Sequence, residues 1–517
     1  MDEILDSGDV GLLAVPSQGW HQTSVKTPLL FELLSPEILI MIFEQVFTTY
    51  PEMLPHLRPM CRKFDQIAAP LSYRRIILSV NKLVAVTGPL RRDDILRNFH
   101  AHTRHVELRQ LLDWDDVASL LAGCAQLDDL TWACGREIFQ CYFPEPMRQL
   151  VADKWPKIRI FNEFADYPGQ GQSGNFLKTF PALNMISFNV HNRGFGQSVG
   201  PLHQYFTSCV NLETLRLFDF NDSSEPGSGR LPPVKCLLLQ VRSWPHTPEE
   251  VHHLWNFSRL EDLEIPWHIL GLMRKTMLPA DFAHLHRLRT EHTWAGIDRP
   301  LEEYNQYHEM RTRFLTAILQ AAPANQFREL DVKCHLPAFP ISALSRHGHS
   351  LRILRLLDAS GFEVDGSVTP TTSTEDLAIL QSTCPNLSDI SLGINILSPK
   401  EILAFIDLLS GFRNVTNTAL YMQKPPKLDL DHVPVTSDKI MDLGQHLAKV
   451  LYEHKQGLHL SRVSINVGEW TGRNRAHRLV QANVKMDMSE AYQPRRLLNF
   501  SWDTQGTMTF AEATRAY

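Results

Sequence analysis

The sequence predicts an α/β fold, in which a small helical module precedes an irregular solenoid with a parallel sheet and outer helices. One observation is a strongly apolar helical pattern that starts near Leu34. Another is a strand template that recurs ten times beyond residue 100. The chain has 517 residues, of which 43% are hydrophobic and 21% are charged, and this composition suits a globular protein of several units.

The helical module starts with the signal Ser35-Pro36-Glu37. The serine can cap the helix, the proline is tolerated at the first helical position, and the glutamate lies at the positive end of the helix dipole. Two neighbouring apolar stripes follow at helical spacing. They consist of Ile38, Ile42 and Val46 in one stripe and of Leu39, Phe43 and Phe47 in the other.

The module has more apolar surface than its own core needs. A segment of roughly 45 residues is near the lower size limit for an independent core, so one stripe can pack inside it and the other is left over. Two explanations stay open on the residues alone. The second stripe binds a partner protein, or it packs against the rest of the same chain.

The spacing of these residues resembles the F-box, a helical motif that docks its protein onto the Skp-type adaptor of a cullin ubiquitin ligase. The resemblance covers residues 29–78 and includes the signal Cys61-Arg62-Lys63-Phe64 downstream of the first helix. Ser35 replaces the first proline of the motif, and Met60 replaces its valine. The resemblance implies an adaptor-binding set of Leu34, Pro36, Ile38, Leu39, Ile42, Phe43, Leu57, Cys61 and Phe64.

The strand template is apolar-x-x-apolar-x-apolar, and its first six copies start at intervals of 22 to 29 residues. This period resembles that of leucine-rich repeats, whose units bury their apolar faces by stacking on neighbours. The copies are Leu127/Leu130/Trp132, Trp155/Ile158/Ile160, Leu183/Ile186/Phe188, Leu212/Leu215/Leu217, Val234/Leu237/Leu239, Leu260/Leu263/Ile265, Phe327/Leu330/Val332, Leu351/Leu354/Leu356, Leu387/Ile390/Leu392 and Leu460/Val463/Ile465. An α/β domain with unrelated leucine-rich strands stays an alternative, because the later intervals are irregular.

These patterns divide the chain into segments. We expect a disordered segment at 1–28, the F-box-like module at 29–78, the leucine-rich-repeat-like solenoid at 79–465, and a cap or tail at 466–517. Insertions interrupt the array near 291–326, 358–376 and 423–437. The first insertion carries helical spacing from Leu301 to Ala322, which predicts an extra helix.

Composition argues against several classes of function. The formal net charge of −6 includes no basic block that would predict nucleic-acid binding, and no apolar run has the length of a membrane helix. The eight cysteines contain no Cys-x-x-Cys pair, which indicates reduced thiols rather than disulfides or a zinc site. We therefore expect a cytoplasmic or nuclear protein.

Two sequence patterns resemble ligand-binding motifs, but their context argues against a bound ligand. The run from Gly169 to Gly174 fits the dinucleotide fingerprint G-x-G-x-x-G, yet no strand leads directly into it and no acidic residue follows before Glu213. Histidine pairs such as His252-His253 lack a carboxylate or cysteine at metal-binding spacing. We predict no cofactor, no metal and no catalytic residue, while an enzyme with a scattered site stays open.

The repeat array also predicts a binding surface. The x position between the last two apolar residues of each template points away from the core on the exposed face of the sheet. Charged residues there, with aromatic residues just past the strands, suit protein recognition. The substrate-binding candidates are Arg216, Phe218, Glu264, Trp267, Asp331 and Arg355. The acidic group Glu261, Asp262 and Glu264 indicates a basic element in the partner.

The resemblance implies a non-enzymatic substrate-recognition subunit of a Skp-cullin-F-box ubiquitin ligase. Its helical module would bind the adaptor, and through it the cullin, while the repeat array would hold an unidentified target protein. The alternative is a scaffold or regulatory protein that binds the adaptor without delivering a substrate for ubiquitination.

Overall fold

The computed structural model describes residues 34–50, 53–80, 83, 93–109, 112–133, 143–167, 179–192, 200–220, 229–241, 244, 246–291, 301–358, 370–394, 399–422, 437–467, 495–503 and 506–515. Contacts divide the chain into two compact units, Met1–Asp166 with Asn175–Ser187, and Tyr167–Gly174 with Phe188–Tyr517. Several predictions lie outside the described residues: the disorder at 1–28, the glycine run at 169–174 and most of the insertions at 358–376 and 423–437.

The first unit begins with three helices and continues with parallel strands. Its helices are α1 Pro36–Thr49, α2 Leu54–Leu57, α3 Arg62–Arg74, α4 Asp93–His102, α5 Trp114–Ala122 and α6 Glu145–Lys154. Its strands are β1 Arg75–Leu78, β2 His105–Leu108, β3 Asp129–Trp132 and β4 Arg159–Tyr167, and they pair in parallel in chain order. One division between the units falls within β4, after Asp166, and another within a further strand, β5 Met185–Asn192, after Ser187.

Helix α1 starts where the sequence predicts it. The Ser35 hydroxyl accepts the backbone N–H of Ile38 at 3.4 Å, and Lys63 Nζ donates to the carbonyl oxygen of Leu34 at 2.6 Å. Leu39 and Phe43 are buried, and the Phe43 ring meets that of Phe64 edge-on at 5.2 Å. The core of the module consists of Leu39, Phe43, Leu54, Phe64, Ala68 and Leu71.

The end of the module differs from the expected boundary at residue 78. The last four residues form β1, Arg75–Leu78, whose backbone pairs in parallel with β2. Ile76-Ile77-Leu78 is an apolar run rich in β-branched residues, which favours a strand over a helix. The helical module therefore ends with α3, and the parallel strands begin directly after it.

The second unit is a long run of strands connected mainly by helices. Its parallel strands are β6 Thr214–Phe220, β7 Cys236–Val241, β8 Asp262–Pro266, β9 Arg287–Glu291, β10 Glu329–Cys334, β11 Ile353–Asp358, β12 Asp389–Ile394, β13 Asn417–Met422 and β14 Arg462–Val467, followed by the antiparallel β15 Arg495–Trp502 and β16 Met508–Arg515. Its helices are α7 Gly200–Ser208, α8 Pro248–Leu254, α9 Trp267–Met273, α10 Leu301–Ala321, α11 Ser342–Ser345, α12 Thr374–Thr383, α13 Pro399–Ser410 and α14 Ser437–His454.

Strand register in the second unit aligns equivalent template positions. The middle position of each template forms one buried row, Leu215, Leu237, Leu263, Leu288, Leu330, Leu354, Ile390, Thr418 and Val463. The next residue along each strand forms a second row on the opposite face: Arg216, Leu238, Glu264, Arg289, Asp331, Arg355, Ser391, Ala419 and Ser464. Parallel strands in chain order with a buried aliphatic row form a leucine-rich-repeat-like region.

A buried histidine makes the stability of the second unit depend on pH. His347 lies in the core, where its Nδ1 accepts the backbone N–H of Gln326 at 3.4 Å and its Nε2 therefore donates to the carbonyl oxygen of Leu319 at 2.8 Å. Burial lowers the pKa of His347 below the ordinary value of 6.5. As pH falls through 6.5, the unfolded chain takes up a proton at this position before the folded chain does.

We therefore expect stability to fall as pH drops below about 6.5, until the lower folded-state pKa is reached. The measurement is the free energy of unfolding in urea at pH 7.5 and pH 5.5 for the native chain and for His347→Gln, whose amide can still donate to Leu319. The native chain should lose more stability than the variant over this interval. Equal losses would assign the pH dependence to other groups.

Candidate functional site

Helix α1 carries four exposed apolar side chains, of which Ile38, Met41 and Ile42 lie within about 100° of one another around the helix axis and Ile40 lies on a different side. Ile38, Ile40, Met41 and Ile42 are 47%, 41%, 69% and 37% exposed, whereas Leu39 and Phe43 on the inner face are buried. Of the two predicted stripes, the one through Leu39 and Phe43 packs inside the module. In the other stripe Val46 packs against the core, and Ile38 and Ile42 are exposed. Clustered apolar side chains on a surface are typical of binding sites for proteins.

The structure sorts the nine predicted adaptor-binding residues into three groups. Leu39, Phe43 and Phe64 are buried in the core of the module and can act only through its shape. Leu34, Leu57 and Cys61 are partly buried against that core. Pro36, Ile38 and Ile42 are exposed, and these can contact a partner directly.

A groove of about 660 Å³ lies on the second row of residues in the second unit. Strands β8 to β11 contribute its six charged residues, Glu264, Arg289, Glu329, Asp331, Lys333 and Arg355. Three carboxylates and three cations make the lining formally neutral. The predicted residues Glu264, Asp331 and Arg355 therefore lie together, and the structure adds three residues to them.

Ion pairs hold the arginines of the groove in place. Arg289 Nε donates to Glu329 at 2.8 Å, and Arg289 Nη1 lies 3.5 Å from Glu264. Arg355 Nη1 donates to Asp331 at 3.1 Å. The hydrogen bond to Glu329 raises the pKa of Arg289 above its usual range, so this guanidinium stays charged at every physiological pH. Burial raises the pKa of Asp331, and the attraction of Arg355 opposes that shift.

Three other predicted substrate-binding residues do not join the groove. Trp267, the first residue of α9, is a wrong prediction for a surface contact, because it is 2% exposed and its Nε1 donates to His308 Nδ1 at 2.8 Å. Arg216 and Phe218 lie on β6, and β7 separates them from the groove strand β8. Leu238 of β7 occupies the position between Arg216 and Glu264 in the row.

The expectation of a basic partner also changes with the structure. Arg287 Nη1 donates to Asp262 at 3.1 Å, and Arg289 lies against Glu264. Both acidic side chains are thus neutralised by arginines of the neighbouring strand β9. Asp262 and Glu264 therefore do not form a free anionic surface, whereas Glu261, the third member of the acidic group, is exposed.

Arg289 was not predicted as a surface residue, because its strand matches only two of the three apolar positions of the template. Leu285 and Leu288 occupy the first two apolar positions, but Thr290 stands at the third, where its hydroxyl accepts the backbone N–H of Lys333 at 3.0 Å. A template that also accepts threonine at that position would have placed Arg289 in the exposed row between Glu264 and Asp331.

The residues that the structure describes include no candidate metal site and no candidate membrane-spanning helix. Within those ranges, His, Cys, Asp and Glu side chains form no group of three that could hold a metal ion. The described helices include none with the length and apolar character needed to cross a membrane.

Comparisons with known proteins identify no family. No protein-family model matches the chain, and no curated protein matches it significantly. Among solved structures, the leucine-rich repeat-containing protein LegL7 from Legionella pneumophila is similar with a TM-score of 0.32 and 13% sequence identity, over 69% of this chain and 98% of LegL7. That similarity is too low to argue from, and the description of the repeat region rests on its own strand order and register.

Proposed function

We propose that this chain is a non-catalytic substrate-recognition subunit of a Skp-cullin-F-box ubiquitin ligase. Its module α1–α3 binds the Skp-type adaptor, and the exposed strand face of the second unit holds a target protein. Ubiquitin transfer belongs to other subunits of the complex, so the chain itself needs no cofactor. The complex acts in the cytoplasm or the nucleus.

The observation that carries this proposal is the exposed apolar face of α1. Leaving Ile38, Met41 and Ile42 in water is unfavourable, since a fully buried side chain of this size gains about 1.5–3 kcal/mol. Contact with a partner would recover part of that free energy. The resemblance of residues 29–78 to the F-box supports a Skp-type adaptor as that partner.

The test is co-expression of the full chain with a Skp-type adaptor, followed by gel filtration. We expect a stoichiometric complex that survives the column. A folded full-length chain that elutes without the adaptor would overturn the proposal, and the exposed face of α1 would then not be an adaptor-binding surface.

A second measurement separates a substrate receptor from a scaffold. Proteins that co-purify with the full chain are identified, and their lifetimes are measured after the chain is depleted from cells. A receptor lengthens the lifetime of at least one bound protein when it is lost. Unchanged lifetimes for all of them would favour the scaffold.

A further inference from the structure

Arginines cover carboxylates on the strand face of the second unit. In each of three ion pairs the guanidinium is more exposed than the carboxylate that it contacts. The pairs are Arg287 over Asp262, Arg289 over Glu329 and Arg355 over Asp331, with side-chain exposures of 51% and 20%, 35% and 9%, and 43% and 32%. The formal charges balance, but the outer layer that a partner would meet is cationic.

The covering arginines keep hydrogen-bond donors for a partner. Arg289 uses Nε and Nη1 for its two carboxylates, and Arg355 uses only Nη1. Their other guanidinium nitrogens, Nη2 of Arg289 and both Nε and Nη2 of Arg355, make no hydrogen bond to a described residue. A guanidinium with one edge anchored and another edge open is suited to bind a second oxyanion, because the planar group is already oriented.

We propose that the groove over β8–β11 binds an acidic segment of a protein partner through Arg289 and Arg355, with Arg287 extending the same surface. This inference rests on the proposed function and deepens it, because it names the class of target segment that the strand face takes. It also reverses the expectation of a basic partner that the acidic residues of β8 suggest in the sequence.

The arrangement of the cations favours several carboxylates over one phosphate group. Arg287 and Arg289 lie two residues apart on β9, and Arg355 lies on β11, two strand spacings of about 4.8 Å away. Arg287 and Arg289 share Glu329, at 3.8 and 2.8 Å, whereas Arg355 is paired with Asp331, so the three guanidinium groups do not converge on one carboxylate. A peptide with acidic residues at successive positions can meet them one at a time.

The test measures binding of a fluorescein-labelled, amide-capped peptide of alternating glutamate and glycine to the full chain by anisotropy. No adaptor is present, so failure here and failure of adaptor binding are distinguishable. We expect saturable binding that weakens with added salt and is absent for the glutamine peptide. Equal binding of the glutamine peptide, or stronger binding of a lysine peptide, would overturn the proposal.

Two variants with opposite expected effects test the site itself. Arg355→Gln should weaken binding about tenfold, the effect of losing one charge-assisted hydrogen bond. Asp331→Asn should strengthen it, because the substitution removes a negative charge and frees Arg355; a misfolded chain cannot give that result. The exposed Arg413 supplies the control, and Arg413→Gln should bind as the native chain does.

A peptide with one phosphoserine and no carboxylate separates the two sources of anionic oxygen. It should bind more weakly than the glutamate peptide. Tighter binding of the phosphopeptide, or weaker binding to Asp331→Asn, would contradict an acidic segment as the occupant of the groove.

Discussion

Aspartate at positions 38 and 42 together is expected to lower the affinity of the full chain for a Skp-type adaptor by at least about a hundredfold. The double substitution removes two apolar contacts and would bury two charges in the interface, each at a cost of several kcal/mol unless it finds a partner. The measurement is the dissociation constant of the adaptor, obtained by calorimetry or biosensor with the native chain and with the Ile38→Asp/Ile42→Asp variant.

The module should keep its fold in this variant. Both side chains are exposed, and position 38 lies in the first turn of α1, where a carboxylate interacts favourably with the helix dipole. The chain offers a matched control in the second unit: Leu403 is 47% exposed, as is Ile38, and Ile379 is 39% exposed against 37% for Ile42. Leu403→Asp/Ile379→Asp should bind the adaptor normally. Equal affinity in all three proteins would exclude the α1 face as the docking surface.

The repeat region was predictable where buried aliphatic residues mark the strands. The Leu215, Leu237 and Leu263 templates all become parallel strands whose middle residues align, because each strand must bury that position against its neighbours. The antiparallel direction of β15 was not predictable in the same way, because Leu497, Phe500 and Trp502 have the same template spacing as the parallel strands.

Two strands, β9 and β13, do not match the apolar template because each has a threonine at one of its apolar positions. Thr290 of β9 and Thr418 of β13 are buried at positions that the template reserves for aliphatic residues. Threonine is β-branched and packs well on a pleated sheet, so it can occupy a buried strand position that a search for apolar residues misses. The helix predicted over residues 301–322 was easier to recognise in the sequence, since apolar residues recur at helical spacing through the 21 residues of α10.

The charged strand face of the second unit was predictable in position, but the exposure of its individual charges was not. Template spacing identifies Glu264, Asp331 and Arg355 as neighbours on one face, and the strand register confirms that placement. Sequence reveals which charges are present, but the depth of each side chain depends on pairing across strands. Burial determines that the arginine side chains are more exposed than the carboxylates. Because burial could not be read from the sequence, Trp267 was also predicted to be a surface residue, although it lies just past a strand and begins a buried helix.

A single methyl group at Gly348 is expected to destabilise the second unit by about 3 kcal/mol, at the upper end of the usual cost of overpacking. A Cβ at this position would lie 1.8 Å from the carbonyl oxygen of Thr383 and 2.8 Å from its carbonyl carbon. Those atoms belong to the last residue of α12, so relief of the clash requires movement of backbone rather than rotation of a side chain. Urea unfolding of Gly348→Ala measures the effect.

Gly393 provides the contrasting position for this experiment. It lies within β12, and the nearest heavy atom to a Cβ there would be Thr371 Cγ2 at 3.5 Å, an ordinary van der Waals distance. Alanine in a strand interior restricts the unfolded chain more than glycine does, so Gly393→Ala should change stability by less than about 1 kcal/mol, in the stabilising direction. If both variants unfold at the same urea concentration, α12 yields to the added methyl group, and the close approach of Gly348 to Thr383 does not hold these elements in place.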